Sequence, residues 1–360
     1  MFDLDLGDEL GLLVETTRSF GKDHLAGGFR EAERAREVPA TARAAFDQIG
    51  LARLEHGEPQ GGAGLGPLAR ALVNEELAAV DVGAALALDR LGPAAYALYE
   101  CGGPEALERF GTRVLDVPSA RAVLVAGEGA LAIDADRLTG EVPWVPADAP
   151  SQVVVLTSEA AHVVTDGISA TPLRGAGLRA AGASALRFDA APIAQSLPSP
   201  DGARRALARA RLYAASLLVG VLRHAAEFAR GYAQERTAFG RPIAHHQALA
   251  FLLTEMHMAV EGSRLLVHEA AWRAESGVDF EAEAASAFVE AIEAARWVGP
   301  AGVQVLGGHG FMQDYPMEKA MREARALGLW LGGIDAARDE AGCALSATPP
   351  PVPLSAGGIL

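Results

Sequence analysis

The spacing of hydrophobic and polar positions along this chain changes period twice. Over residues 4–21, Leu10, Leu12, Leu13, Val14 and Phe20 recur at helical spacing, and Pro39 to Ile49 predicts a second, shorter helix. The stretch LARLEHGEPQGGAGLGP then forms a loop at Gly61, Gly62 and Gly64. A helix begins near Leu68 and runs through Asn74-Glu75-Glu76-Leu77; helical spacing continues through Leu98 and from Pro104 to Phe110. From about Arg121 to Ile193 the texture changes. The runs AVLVAGE, QVVVLT, HVVTDG and ALRFDAAPI are short, β-prone and separated by Gly, Pro, Asp and Ser. Residues 194–202, AQSLPSPDG, predict a linker. Beyond it the helical period returns over about 203–235, 245–275, 280–305 and 316–345, with Asp279 as a candidate N-cap and Glu281 and Glu283 in the first turn. Four long amphipathic helices with short connections predict an antiparallel bundle.

The fold class predicted is α+β and mainly α. An N-terminal helical domain covers 1–117, a short middle β domain 118–200 and a C-terminal four-helix bundle 201–346. The tail 347–360, rich in Pro and Gly, is expected to be disordered. With 50% hydrophobic and 21% charged residues in 360, the chain has ample material for a packed core. Its net charge of −15 argues against a nucleic-acid surface or an anionic-membrane patch, so an acidic ligand needs a local basic pocket. Arginine must supply it, because Lys22 and Lys319 are the only lysines. Cys101 and Cys343 stand in ordinary contexts, which predicts neither a disulfide framework nor a metal cluster. No apolar run reaches about 18 residues without charges or breakers, and the start MFDLDLGDEL is acidic. A soluble, cytoplasmic protein with no membrane span is expected.

Two stretches carry candidate chemistry. In YAQERTAFGRPIAHHQ, Tyr232 to Gln247, a helix ends near Arg236, leaves through Phe239-Gly240 and turns at Arg241-Pro242 into the next helix. A guanidinium held at a rigid helix end can grip a phosphate bidentately. In VQVLGGHGFMQDYPMEK, Val303 to Lys319, a helix ends on paired glycines that bare backbone N–H groups, and another starts at Pro316. Read singly, Arg236 could equally form a surface ion pair with a nearby Glu, and the glycines could be a plain helix cap. Together, in this order and separation, the two stretches resemble the C-terminal domain of the acyl-CoA dehydrogenase family. The segment around Gly61-Gly62 and Asn74-Glu75-Glu76-Leu77 is similar to that family's N-terminal domain, so the resemblance spans nearly the whole chain. It implies FAD as cofactor, an acyl-CoA substrate and an oligomer. It also implies that Arg236, Phe239, Gln247, Gln304, Gly307, Gly308 and Gly310 hold the pyrophosphate and adenine of an FAD bound mainly to the neighbouring subunit.

Other family features are missing. Acyl-CoA dehydrogenation needs a carboxylate to take the α-proton of the thioester. By the resemblance that base falls at Leu331, in LGLWLGG, or in a minority of members at Ala210, ahead of Arg211. Neither residue accepts a proton. The family's Thr-Glu-Pro and Gly-Ser-Asp loop would lie near VAGEGALAID and is not found. Trp144 aligns with the tryptophan beside the flavin but is equally placed to be core, and Pro146 replaces a hydroxyl residue. Glu323 and Asp335 are the candidates for a relocated base, with Asp335 about one turn (~6 Å) past Leu331 if the helix continues. Glu227 and Glu235 belong to solvated faces. The expectation is a supporting subunit of a heteromeric enzyme, completing the FAD site of a partner subunit with an intact Glu. Alternatives are a homo-oligomeric flavoenzyme with a relocated base and a scaffold that has lost flavin. Fatty, branched and steroid acyl chains all remain compatible with the resemblance.

Overall fold

The computed structural model describes residues 6–58, 61–127 and 129–347. The N-terminal part consists of helices α1 (Gly7–His24), α2 (Phe29–Ala35), α3 (Ala40–Gln48), α4 (Pro67–Leu88) and α5 (Ala94–Leu115). Two of these are bent. In α4 the backbone leaves helical geometry at Asp81 (φ −159°, ψ 104°), and in α5 at Gly103, just ahead of Pro104. The kink in α4 is stabilised from within, because Asp81 Oδ1 accepts the Ala84 N–H at 3.1 Å and so caps the second half. The glycine loop ahead of α4 is a packing feature: a Cβ on Gly62 would lie 2.1 Å from the His56 carbonyl oxygen.

The middle part is one curled sheet ordered β1-β4-β5-β7-β3-β2, with β6 also paired to β7. Its strands are β1 (Ala122–Ala126), β2 (Ala130–Asp134), β3 (Arg137–Val145), β4 (Gln152–Leu156), β5 (Ala160–Val164), β6 (Ile168–Pro172) and β7 (Ser184–Pro198). Among the described residues only β1 and β4 pair in parallel. Both are buried along their whole length, as parallel strands covered on both faces must be. Leu124, Ala126, Val154 and Leu156 face the helices, while Val123, Val125, Val153 and Val155 join a separate core inside the sheet. The 15-residue β7 pairs with β3, β5 and β6 and ties the sheet together. The linker predicted over 194–202 is therefore mostly strand. It shrinks to Ser199, whose Oγ accepts the Gly202 N–H at 3.1 Å at the head of the next helix.

That helix, α6 (Pro200–Glu235), is the axis of the molecule and lies against α4, α5 and three of the helices that follow it. Gly220 lets it meet α4 closely, since a Cβ there would stand 2.3 Å from the Glu75 carbonyl oxygen. By length and composition α6 could cross a membrane, but 78% of its most apolar window is buried inside the fold. It is followed by the short strands β8 (Thr237–Ala238) and β9 (Arg241–Pro242), then α7 (Gln247–Glu275) and α8 (Glu281–Leu306). Phe280 occupies the N-cap position of α8, and the side chain of the predicted cap Asp279 accepts the Glu281 N–H, at 3.4 Å. The fourth helix expected over 316–345 is two: α9 (Met317–Leu327) and α10 (Gly333–Ala347). Between them Leu331, Gly332 and Gly333 all have positive φ (56°, 79° and 67°), which no α-helix accommodates. Of the predicted tail, 348–360 lies outside the described residues.

Candidate cofactor-binding surface

Helix α6 stops at Arg236, where the backbone turns extended (φ −70°, ψ 120°) while its N–H still bonds the Tyr232 carbonyl at 2.8 Å. Strands β8 and β9 then form a hairpin with Phe239 and Gly240 at its tip, both at positive φ (53° and 79°), as two-residue hairpin loops require. This geometry holds the Phe239 ring in solvent, 95% exposed. The Ile243 N–H bonds the Arg236 carbonyl at 2.8 Å and closes the corner, after which Gln247 opens α7 with its side chain exposed. The Arg236 side chain is also exposed. It has no hydrogen bond or ion pair among the described residues, so the surface ion pair open at the level of sequence is not formed.

The second stretch ends α8. Gln304 is exposed on its last turn, and Gly307 breaks the helix at φ 58°, ψ −130°, a conformation that excludes residues with a Cβ. Gly307 and Gly308 are exposed with open space around them, so a ligand can approach their backbone. Gly310 has another reason to be glycine: its Cβ would sit 2.4 Å from the Val303 carbonyl oxygen. The two stretches meet through residues to which the sequence assigned no role. Tyr232 Oη and His309 Nδ1 lie 2.8 Å apart in a hydrogen bond, and the His309 ring stacks on Tyr315 at 4.9 Å and 10°. Arg236, the hairpin and the glycine turn thus belong to one surface. Both Tyr232 and His309 were visible inside the motifs, but only the fold shows that they touch.

Trp144 is not among the contacts that join this surface. It lies on β3 between Val142 and Val145, where the pairing with β7 shifts register, and is half-buried against the helical core. Leu331 and Ala210 are both completely buried. The turn carrying Leu331 adjoins the end of β1, since a Cβ on Gly127 would lie 3.7 Å from the Gly332 Cα. Asp335 does not continue a helix past Leu331. It stands in the first turn of α10, beyond the break, and is exposed. Glu227 and Glu235 are exposed as expected.

Glu323 is buried, and both its oxygens accept from Lys319 Nζ at 2.8 Å; the same Nζ donates to Asp81 Oδ1 at 3.0 Å. Burial pushes the Glu323 carboxyl up to about 7; Lys319 opposes this and the Asp81 charge adds to it.

The exposed surface suits FAD. An unpaired guanidinium matches a diphosphate, the carboxamides of Gln247 and Gln304 match polar ring edges, and the bared glycine turn allows close approach. Leu331 and Ala210, where the resemblance puts the family's base, offer no proton acceptor.

Comparison with known proteins concerns the family and the fold. The acyl-CoA dehydrogenase C-terminal domain matches residues 201–342 and the N-terminal domain matches residues 7–117. The chain is 28% identical to the bovine (Bos taurus) mitochondrial short-chain specific acyl-CoA dehydrogenase, over 91% of this chain and 88% of that one. It is 27% identical to the cyclohex-1-ene-1-carbonyl-CoA dehydrogenase of Geobacter metallireducens, over 94% and 98% of the two chains. Its fold superposes on butyryl-CoA dehydrogenase from Megasphaera elsdenii with a TM-score of 0.85 at 22% identity, covering 96% of this chain and all of that one.

Proposed function

Because the chain belongs to the acyl-CoA dehydrogenase family, whose enzymes depend on FAD, we propose that it is the supporting subunit of a heteromeric acyl-CoA dehydrogenase. The observation that carries this reading is the contrast between two regions. Arg236, Gln247, Gln304 and the Gly307-Gly308 turn are exposed and Arg236 is unpaired, while Leu331 is sealed in the core. In this reading Arg236 and Gln304 reach across an interface to the pyrophosphate and adenine of the partner's FAD. The flavin, when bound, supplies the hydride acceptor for the acyl β-carbon. The partner's carboxylate takes the α-proton.

An apolar stripe on α7 supports the assembly. Phe251, Met258 and Leu265 recur every seven residues and are 59%, 67% and 45% exposed. Met258→Glu should lower the native mass of the complex, measured by light scattering; an unaltered mass would place the interface elsewhere.

Arg236→Ala should weaken FAD retention by the complex. A charge-assisted hydrogen bond contributes about 1.5–3 kcal/mol, so the flavin should dissociate about 10- to 100-fold more readily. The check is flavin absorbance per complex after gel filtration, and full retention in the variant would contradict the reading.

One observation favours a second reading. Glu323, with its raised proton affinity, borders an apolar cavity, which fits a homo-oligomeric flavoenzyme with a relocated base. Against it, both carboxylate oxygens are held by Lys319. The native assembly separates the cases. A mixed oligomer with FAD on half its subunits supports the first, one FAD per chain in a homo-oligomer the second, and a flavin-free homo-oligomer would leave a scaffold.

A further inference from the structure

A cavity of about 470 Å³ opens between the start of α2, the kink of α4, the middle of α6 and α9. That size lies in the range of about 300–1,000 Å³ typical of sites for small organic molecules. Its walls are chiefly apolar and aromatic, with Phe29 and Val80 facing Val221 and Phe228 on α6, and Tyr315 ahead of α9. Trp144, Ala210 and Leu331 do not line it. The cavity is therefore separate from those three positions, although Glu323, the candidate for a relocated base, borders it.

One polar group in the wall is uncommitted. His224, on α6, has no hydrogen-bond partner among the described residues, and its ring lies 6.1 Å from Phe228. Burial, with Lys319 and Arg223 adding to it, holds the imidazole down to about 4. At neutral pH it is uncharged and offers one ring nitrogen as donor and one as acceptor.

The surroundings select against ions of either sign. A cation beside His224 meets Lys319 and Arg223, which already disfavour the imidazolium. An anion would have to leave water for a chiefly apolar wall, and Lys319, already shared by Asp81 and Glu323, is not free to offset that cost. A neutral molecule encounters neither penalty. A hydroxyl also suits either imidazole tautomer, since it can donate or accept.

We propose that this cavity binds a neutral, largely apolar small molecule through a hydroxyl group seated on His224. The site does not depend on the supporting-subunit reading, and it excludes the relocated-base reading, which would need the same cavity for the acyl chain.

The test uses the full chain in its native assembly and three probes of similar shape: 2-naphthol, 2-naphthoate and 2-naphthylmethylammonium. Isothermal titration at pH 7 should show 2-naphthol binding at least about tenfold more tightly than either ion. His224→Leu should weaken 2-naphthol binding about two- to tenfold, the loss of one uncharged hydrogen bond. Val221→Trp, which fills the cavity, should abolish it. Equal binding of either ion, no binding of 2-naphthol at about 1 mM, or undiminished binding by either variant would overturn the proposal. The comparison of probes on the native chain stands even if a variant does not fold.

Discussion

Lys319→Met should destabilise the fold by about 3–5 kcal/mol, the usual result of removing one partner from a buried charged cluster. Methionine keeps the length and apolar stem of lysine, so the loss reports the ammonium and not a cavity. That ammonium is the shared donor for Asp81, 238 residues away in sequence, and for Glu323 one turn along α9. All three residues are buried, and Asp81 Oδ2 already lacks a partner. Once Nζ is gone, two carboxylates face each other without their shared counter-ion, and one must take a proton or the region must open. Asp81 also caps the second half of α4 at its kink, so the disturbance reaches the centre of the N-terminal helices. The measurement is the urea midpoint of the variant against the native chain. A loss below about 1 kcal/mol, the size of a surface pair, would show that water reaches the cluster and that it contributes little.

The parts of this architecture that were legible in sequence are those encoded locally. The helical period of α6, α7 and α8 survives because each buries one continuous stripe. Strands β1, β4 and β5 appear as apolar runs because they are buried on both faces or nearly so. Strand β2 is mostly exposed, and β3 carries Gly140 and Pro143, so neither presents the run or alternation that marks a strand. The end of β7 looks like a linker because pairing with β5, and not its own composition, holds it extended. The break between α9 and α10 was signalled by Gly328, Gly332 and Gly333, but apolar spacing on both sides masked it.

The candidate site divides in the same way. Arg236, Gln304 and the glycine turn lie inside two compact motifs, and their exposure follows from helix ends that local sequence dictates. The hydrogen bond from Tyr232 to His309 joins residues 77 apart, and only tertiary packing produces it. The sequence sets Arg322 beside Glu323, yet that arginine is engaged elsewhere, by Glu33 and Glu318. The lysine one turn earlier serves instead, because it lies on the same buried face of α9.

The proton affinity of Glu323 leads to a second large effect, in the pH dependence of stability. Its carboxyl moves from an ordinary value of 4.5 to about 7 on folding, chiefly through burial. The folded state therefore binds the proton more tightly than the unfolded state between those values. A contribution of this sign is fully present below the unfolded value and is lost as pH rises through about 7. The distance from 4.5 to about 7 corresponds to about 3 kcal/mol. Lys319, also raised on folding, would change its contribution only above its ordinary 10.5. His224 works in the opposite sense: held down to about 4, it favours the fold increasingly as pH rises towards its ordinary 6.5. The native profile alone would hence be flattened by the two groups together. Comparison with Glu323→Gln isolates one of them, since glutamine mimics the protonated acid and does not titrate. The native chain should lose about 3 kcal/mol relative to that variant between pH 4.5 and pH 8, followed by urea unfolding at each pH. A difference that stays constant across that interval would mean the carboxyl keeps its ordinary value in the fold, burial being offset by Lys319. A difference that grows in favour of the native chain would mean Lys319 lowers the carboxyl below its ordinary value, reversing the order of burial and pairing assigned to this cluster.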